Sequence, residues 1–206
     1  MRIGVIGAGH IGSAVAERLV KSGHDVAIAN TRGVDGVREV ADRVGARPAT
    51  IEDAAGYGDV VFEAIPFGAY DTLPADALKG RVVVDASNYY VGRDGTIDEV
   101  ENGTPSARLV ADHLDGARVV KAFNTILAAR IRDEHKPAGD PDRLAIPIAG
   151  DDDEAKRIVT QLVDDMGFDA VDAGTLEQSS GQEPGTPVYG PPLSADGVRE
   201  AIASAA

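Results

Sequence analysis

The sequence predicts an α/β fold in which parallel strands alternate with helices, and three observations carry that expectation. The chain opens on a short β-branched run, Arg2-Ile-Gly-Val-Ile6, that leads straight into Gly7-Ala-Gly9-His-Ile-Gly12. Apolar runs of strand length recur at 26–30, 59–65, 81–85, 118–122, 144–149 and 168–172. Between most of them, apolar residues repeat at helical spacing. Continuous rather than alternating apolar runs are what strands buried on both faces require. The expected architecture is a Rossmann-type, doubly wound parallel sheet over residues 1–120. A small C-terminal α/β lobe, 121–206, would complete the cleft and could supply a dimer arm.

The first 32 residues organise the rest. Gly7 permits a tight turn, Gly9 leaves bare backbone for a pyrophosphate, and Gly12 lets a helix pack closely on the strand. That helix begins near His10, carries Ile11, Ala14, Val15 and Leu19 on one face, and stops at Ser22-Gly23. Its free N–H groups, from the turn that includes His10 and Ile11, and its positive end suit an anion. The second strand ends in Asn30-Thr31-Arg32. A carboxylate there would accept from a ribose 2′-hydroxyl and repel a 2′-phosphate; a hydroxyl and a guanidinium favour the phosphate. NADP(H) over NAD is therefore expected, the alternative for Arg32 being a solvated loop residue beside Gly33. Asp25 starts the strand and has no role.

Val34, Val37, Val40, Ala41 and Val44 form the next helix, ending at Gly45, and Pro48 confines residues 46–50 to an edge strand. A helical turn over 51–55 precedes the strand at 59–65. Ligands of such sheets lie beyond the carboxyl ends of the strands, so Ile65, Pro66 and Phe67 should line the cleft, with Phe67 alternatively capping the core. Residues 68–79 read as one short helix. After the strand 81–85, Ser87 and Asn88 can hydrogen-bond a carboxamide, and Tyr89 and Tyr90 can wall a ring. Residues 91–104, polar with three glycines, read as a surface loop or a lid. A helix over 106–114 leads to the strand 118–122, where Lys121 is expected to be solvated or paired at the sheet edge. Asn124, Thr125, Ile126 and Ala128 then lie at the rim.

Past Ala128 the pattern is irregular. Pro147 places the strand 144–149 near an edge. Gly150-Asp-Asp-Asp-Glu154 invites a metal reading but is better explained as a capping box, with Asp151 as N-cap and Glu154 three residues on. Ala155, Ile158, Val159, Leu162 and Met166 continue that helix to Gly167. A last strand covers 168–172. The Gly/Pro/Ser-rich tail holds 185–190, an ordered loop or an arm for a partner subunit, and then a small helix.

The 206 residues carry a net charge of −14 and no cysteine. The acidity disfavours nucleic acid and anionic membranes, and its source could be a GC-rich genome or a salty cytoplasm. The missing thiols exclude disulfides and thiolate metal sites or nucleophiles. No apolar run approaches a membrane span and no leader pattern precedes the first strand, so a cytoplasmic protein is expected. His10, His24, His113 and His135 share no ligand spacing, and no metal is expected. No nucleophile triad or Walker lysine appears. Hydride transfer between two ring cofactors needs neither; it needs alignment of donor and acceptor carbons at about 3–3.5 Å. A dehydrogenase of alcohols would need a general base and a substrate domain. The β-hydroxyacid dehydrogenases, imine reductases and prephenate dehydrogenases that open this way carry a long helical C-terminal part, for which this chain is expected to be too short.

Gly7-x-Gly9-x-x-Gly12, Asn30-Thr31-Arg32, Ala122-Phe-Asn124-Thr125-Ile126, Ala149-Gly150-Asp-Asp-Asp-Glu154 and Asp172-Ala-Gly174 together resemble the NADPH-dependent reductases of the deazaflavin coenzyme F420. The resemblance runs from residue 1 to about 178, and the same blocks are similar to the cytoplasmic oxidoreductase domain of the STEAP metalloreductases. It implies that Thr31 and Arg32 hold the 2′-phosphate and that 124–128 supports nicotinamide and deazaflavin, with Ile126 and Ala128 meeting the carboxamide through backbone groups. Asn124 and Thr125 are the candidate catalytic residues. Archaeal members have a Gly-Thr-Gly turn, a histidine where Asn124 stands, and an apolar helical end used in dimer contact. This chain instead has Gln182-Glu-Pro-Gly-Thr-Pro-Val-Tyr189, like a bacterial group whose acceptor is often unassigned. The expected function is hydride transfer between NADP(H) and coenzyme F420 or a flavin-like acceptor in a homodimer. The alternatives are a STEAP-like flavin, quinone or metal reductase and a non-catalytic NADP(H)-binding regulator.

Overall fold

The computed structural model describes residues 1–205. Strand β1 (Arg2–Ile6) leads through the glycine turn into α1 (His10–Lys21), β2 (Asp25–Ala29), α2 (Gly33–Val44), β3 (Arg47–Ala49), α3 (Ile51–Tyr57) and β4 (Val60–Glu63). Next come α4 (Ala75–Leu78), β5 (Val82–Asp85), α5 (Val91–Asp94), α6 (Asp98–Glu101), α7 (Ser106–His113), β6 (Arg118–Lys121) and α8 (Ala128–Asp133). The chain closes with β7 (Ala145–Gly150), α9 (Asp153–Asp165), β8 (Asp169–Asp172) and α10 (Ala195–Ala205). The strands pair in the order β3-β2-β1-β4-β5-β6-β7-β8. All pairs are parallel except β6 with β7, which meet antiparallel at Val120↔Gly150 and Lys121↔Ala149. The doubly wound sheet is as expected; β6 spans the anticipated boundary at 120/121 and the sheet runs on across it.

The continuous apolar runs are explained by burial on both faces, one core on each, with a smaller cluster of Ala145, Val171, Val188 and Val198 at the β7–β8 end. Ile3, Val5, Phe62 and Val84 pack with Leu19 of α1 and Val159 and Leu162 of α9 on one side. Val61, Val83 and Val119 pack with Ala54 and Ala55 of α3 and Val110 of α7 on the other. Winding the chain in opposite directions from β1 leaves a crevice beyond the carboxyl ends of β1 and β4, the usual ligand position in such sheets.

Several local expectations are corrected. Residues 68–79 are not one helix: a 3₁₀ turn, Phe67–Thr72, and α4 are separated at Leu73, which is extended (φ −64°, ψ 138°) because Pro74 follows it. The segment 91–104 is not an open loop but holds α5 and α6. The Tyr89 hydroxyl fastens it, donating to the Gly95 carbonyl (2.9 Å) and bonding Glu101 (2.8 Å). Pro147 lies in an inner strand. The carbonyls of Leu144 and Ile148 accept from β8, so the alternate residue Pro147 faces the other way, beyond the point where β6 stops pairing. No ladder bond is therefore lost. The N-cap of α9 is Asp152, whose side chain accepts from Ala155 N–H (2.7 Å), and not Asp151. Asp151 is drawn away by Leu176 N–H (2.9 Å) and Arg108 (2.8 Å). The tail is more regular than its composition implies: Leu176–Gln182 is a 3₁₀ helix with a Thr175/Gln178 capping box. Residues 185–190 fold onto their own chain, Gly190 N–H donating to the Thr125 carbonyl (3.0 Å) and Arg130 to the Gly190 carbonyl (2.9 Å). Among the described residues, no helix is long and apolar enough to cross a membrane.

Candidate functional site

The turn after β1 is built by steric exclusion. Gly7 has φ +111°, and a Cβ there would sit 2.4 Å from the Ala64 carbonyl oxygen. A Cβ on Gly12 would come within 1.8 Å of the Gly7 oxygen, so α1 can lie this close to β1 only through glycine. Gly9 is the N-cap of α1, with no side-chain cap and no acid in the first turn. The leading N–H groups of the helix therefore have no side-chain acceptor. A Cβ on Gly9 would meet nothing within 4 Å, which leaves that edge open to an anion. Arg132, which sequence reading missed, adds a guanidinium here through Ser13 Oγ (2.9 Å) and the His10 carbonyl (3.3 Å).

Two cavities run along the carboxyl edge from this turn and share Gly9, Ala64, Ile65 and Pro66 as walls. The smaller, about 230 Å³, is bounded by Gly7, Asn30, Thr31, Ile51 and Leu73. At its end Asn30 Oδ1 accepts from Arg32 N–H (2.9 Å), shaping the β2–α2 turn. Arg32 itself is exposed, and its guanidinium has no partner among the described residues. The larger cavity, about 530 Å³, is bounded by His10, Ile11, Ser87, Asn88, Asn124, Ile126 and Ala128, with Tyr90, Arg93, Leu127 and Tyr189 at its mouth. Phe67 lines neither cavity. It is fully buried in the second core, stacked on Tyr70 with centroids 5.1 Å apart, so the expectation that it faces the cleft is corrected in favour of the core cap. Thr125 also turns away, toward Val188 and Leu193.

The floor of the larger cavity is held by side chains remote in sequence. Phe123 is the one non-glycine residue with positive φ (63°) among the described residues, a conformation that costs about 1–3 kcal/mol. It reverses the chain so that Asn124 points inward. The Asn124 amide donates to Asn88 Oδ1 (3.0 Å) and the Gln182 carbonyl (2.7 Å) and accepts from Gln182 Nε2 (3.0 Å). Asn88 Nδ2 donates back to the Asn124 carbonyl (2.9 Å). Asn124 is thus saturated, a strut more than an acid or base.

Lys121 departs furthest from expectation. It is fully buried and not at an edge, since β7 extends the sheet beyond β6. Its ammonium donates to Asp85 Oδ2 (2.9 Å) and to the Ser87 carbonyl (2.7 Å). Asp85 Oδ1 accepts from Ser87 N–H (2.8 Å) and Oγ (2.7 Å), so the ion pair fixes the wall at Ser87. Burial alone would raise the Asp85 carboxyl, but the Lys121 charge and these hydrogen bonds hold it below its ordinary value. Glu63 stands beside Asp85 in register. The signal for this trio was present in the sequence: the runs Val-Val-Phe-Glu63, Val-Val-Val-Asp85 and Arg-Val-Val-Lys121 each end in an ionisable residue.

At the mouth, Arg93 reaches the Asn88 carbonyl (2.5 Å) and lies 5.0 Å from the Tyr90 ring centroid. The Tyr90 and Tyr189 hydroxyls bond each other. Burial, with the Tyr90 bond second, pushes the Tyr189 phenol up to about 12.

Comparison with known proteins places this geometry. The family described as NADP oxidoreductase, coenzyme F420-dependent, matches residues 2–89. Metalloreductase STEAP3 of Rattus norvegicus is 30% identical over 183 residues, 85% of this chain; the chain spans about a third (34%) of the length of that curated relative. The hypothetical protein SMa0349 of Sinorhizobium meliloti superposes with a TM-score of 0.82 at 33% identity, covering 94% of this chain and 95% of that one. A structure from Arthrobacter sp. FB24, provisionally described as an F420-dependent NADP-reductase, gives 0.76 at 26% identity over 88% of both chains. The family match thus lies in residues 2–89, and the α/β fold is shared with these solved structures along nearly the whole chain.

Proposed function

We propose that the cleft binds NADP(H) and aligns it with a deazaflavin or flavin-like ring for hydride transfer. The carrying observation is the pair of cavities with common walls, one beside Asn30 and Thr31, the other beside Ser87, Asn88 and Asn124. The smaller suits the adenosine half, with Thr31 and Arg32 at its rim for the 2′-phosphate. The pyrophosphate fits the open N-terminus of α1 at Gly9, His10 and Ile11. The nicotinamide fits against Ile65, Pro66 and Ser87, with the carboxamide toward Ile126 and Ala128. NADPH supplies the hydride; the residues orient the ring, cover it and exclude water. No side chain is required to take a proton from an alcohol, and Asn124, already fully hydrogen-bonded, offers none. Tyr90 and Tyr189 wall the outer part of the larger cavity, where a second flat ring has room.

Anaerobic oxidation of NADPH, with deazaflavin or free flavin supplied separately, tests this reading. Fast turnover with the deazaflavin supports it as stated. Turnover with flavin alone moves the acceptor to the flavin class, which the likeness to STEAP3 over 85% of the chain favours as the second reading. Tight binding without turnover on either supports a non-catalytic regulator.

A further inference from the structure

Glu63 of β4, Asp85 of β5 and Lys121 of β6 occupy one register across three adjacent strands, and all are buried. Asp85 and Lys121 neutralise each other at 2.9 Å. Glu63 is left over. Its Oε2 accepts a long bond from Ile65 N–H (3.3 Å), and its Oε1 is buried with no donor facing it. An ionised carboxylate in that place would lack compensation, whereas a protonated one can donate toward Asp85. Burial, and after it the Asp85 charge, push the Glu63 carboxyl well above the usual range, with Lys121 offsetting part of this. Glu63 directly precedes Ala64, Ile65 and Pro66, which wall the cleft, and its neighbour Asp85 holds Ser87 in the same wall.

We propose that Glu63 keeps its proton while neutral dihydronicotinamide fills the cleft and releases it when the positively charged oxidised ring is bound. The inference rests on the NADP(H) site proposed above. The charged groups facing Glu63 are Asp85 on β5 and Lys121 on β6; on its other side β1 presents the aliphatic Ile6 in register. From α7, Ser106 reaches Lys121 (3.3 Å), and its N–H is capped by Glu183 (2.7 Å). Against this constant background, the nicotinamide charge changes with each turnover. Across a wall of low dielectric it favours the ionised acid. The proton is therefore held less tightly in the oxidised complex than in the free protein. NADP⁺ binding releases it, and NADP⁺ affinity rises with pH between the two titration points by up to about tenfold per pH unit. NADPH gains nothing. A tenfold preference for the oxidised form lowers the potential of the bound two-electron couple by about 30 mV, which favours hydride donation. Glu63 acts through its charge, as a positioning residue that does not touch the ring.

The experiment measures NADP⁺ and NADPH affinity against pH, together with proton release by calorimetry in two buffers of different ionisation enthalpy. The 2′-phosphate titrates with both cofactors and cancels in their ratio. The expected result is a Kd ratio, NADP⁺ over NADPH, that falls as pH rises, and more proton release with NADP⁺. Glu63→Gln should make the ratio independent of pH. A pH-independent ratio and equal proton release in the wild-type protein overturn the inference and leave the NADP(H) site standing. Failure of both cofactors to bind removes the site and the inference together. If Glu63→Gln does not fold, the wild-type proton count decides alone.

Discussion

The two ends of the cleft are built by different means. At the β1–β2 end the surface is backbone: the Gly7–Gly12 turn, the open N-terminus of α1 and the short Asn30–Arg32 turn lie within about thirty residues of one another. At the β4–β6 end the surface is a mesh of side chains drawn from Glu63, Asp85, Asn88, Lys121, Asn124 and Gln182, bonded across as many as 61 positions of sequence. A backbone site has no room for a Cβ at Gly7 or Gly12 but needs no partner to persist. A side-chain site tolerates changes of shape but fails when one member is removed, because the others are left buried and unsatisfied.

The largest test of that contrast is Lys121→Met. Removing the ammonium leaves Asp85 charged in a site with no solvent, and loss of one partner from a buried pair costs about 3–5 kcal/mol. Urea unfolding at neutral pH should show that loss. The pH dependence should reverse as well. In the wild-type protein the Asp85 carboxyl titrates below its unfolded value, so its contribution is complete above about pH 4 and fades as pH falls through the folded value. In the variant the buried acid is more stable protonated, so the Asp85 contribution should grow on acidification. A variant as stable as wild type with an unchanged acid limb would show that the pair does not carry this wall.

At the other end, Gly12→Ala should cost ~3 kcal/mol, the upper part of the range for overpacking. The new Cβ meets the Gly7 carbonyl at 1.8 Å, and only a backbone shift can relieve it. Unchanged denaturant midpoints would mean α1 slides away freely, against the close contact seen. Arg32→Ala is smaller and touches affinity alone. Losing a charge-assisted bond to the 2′-phosphate, about 1.5–3 kcal/mol, weakens NADPH roughly 10- to 100-fold and leaves NADH unaltered. Equal weakening of both cofactors would remove Arg32 from phosphate selection.

The same contrast explains what could be read from the sequence. The strands, α1, α2 and the glycine turn were legible because their causes are local: an apolar period, a glycine, a C-cap within one segment. Asn88, Asn124 and Tyr90 were legible as positions at strand ends, but not as a network, since nothing local says that Gln182 closes it. Periodicity assigns Lys121 to a strand without saying that Asp85 stands opposite, so the buried pair is not legible in it. Asp151 lost the cap of α9 to Asp152 because Arg108 and Leu176, both remote, compete for its carboxylate. Pro147 does not mark an edge here, because the short β6–β7 pairing stops before it and asks no ladder bond of it.

Tyr189→Phe is the smallest effect and separates a strap from a surface loop. Residues 183–190 return to the cleft behind Gln182, which Asn124 holds, and are fixed by Arg130, the Thr125 carbonyl and the Tyr90–Tyr189 bond. Deleting one hydroxyl removes about 0.5–1.5 kcal/mol of local anchoring while Val188 stays buried, so global unfolding should hardly move. Amide exchange over 183–190 should quicken by up to about tenfold, and the change should appear in the KM for the acceptor more than in the affinity for NADPH. Because the Tyr189 phenol titrates at about 12, the wild-type strap should be insensitive to pH up to about 10. Its contribution should then decline as the pH rises toward the folded value. Exchange that does not change in the variant would mean that Val188 and Arg130 hold the segment without help from the tyrosine pair. The mouth of the cleft would then be as rigid as its glycine-built end.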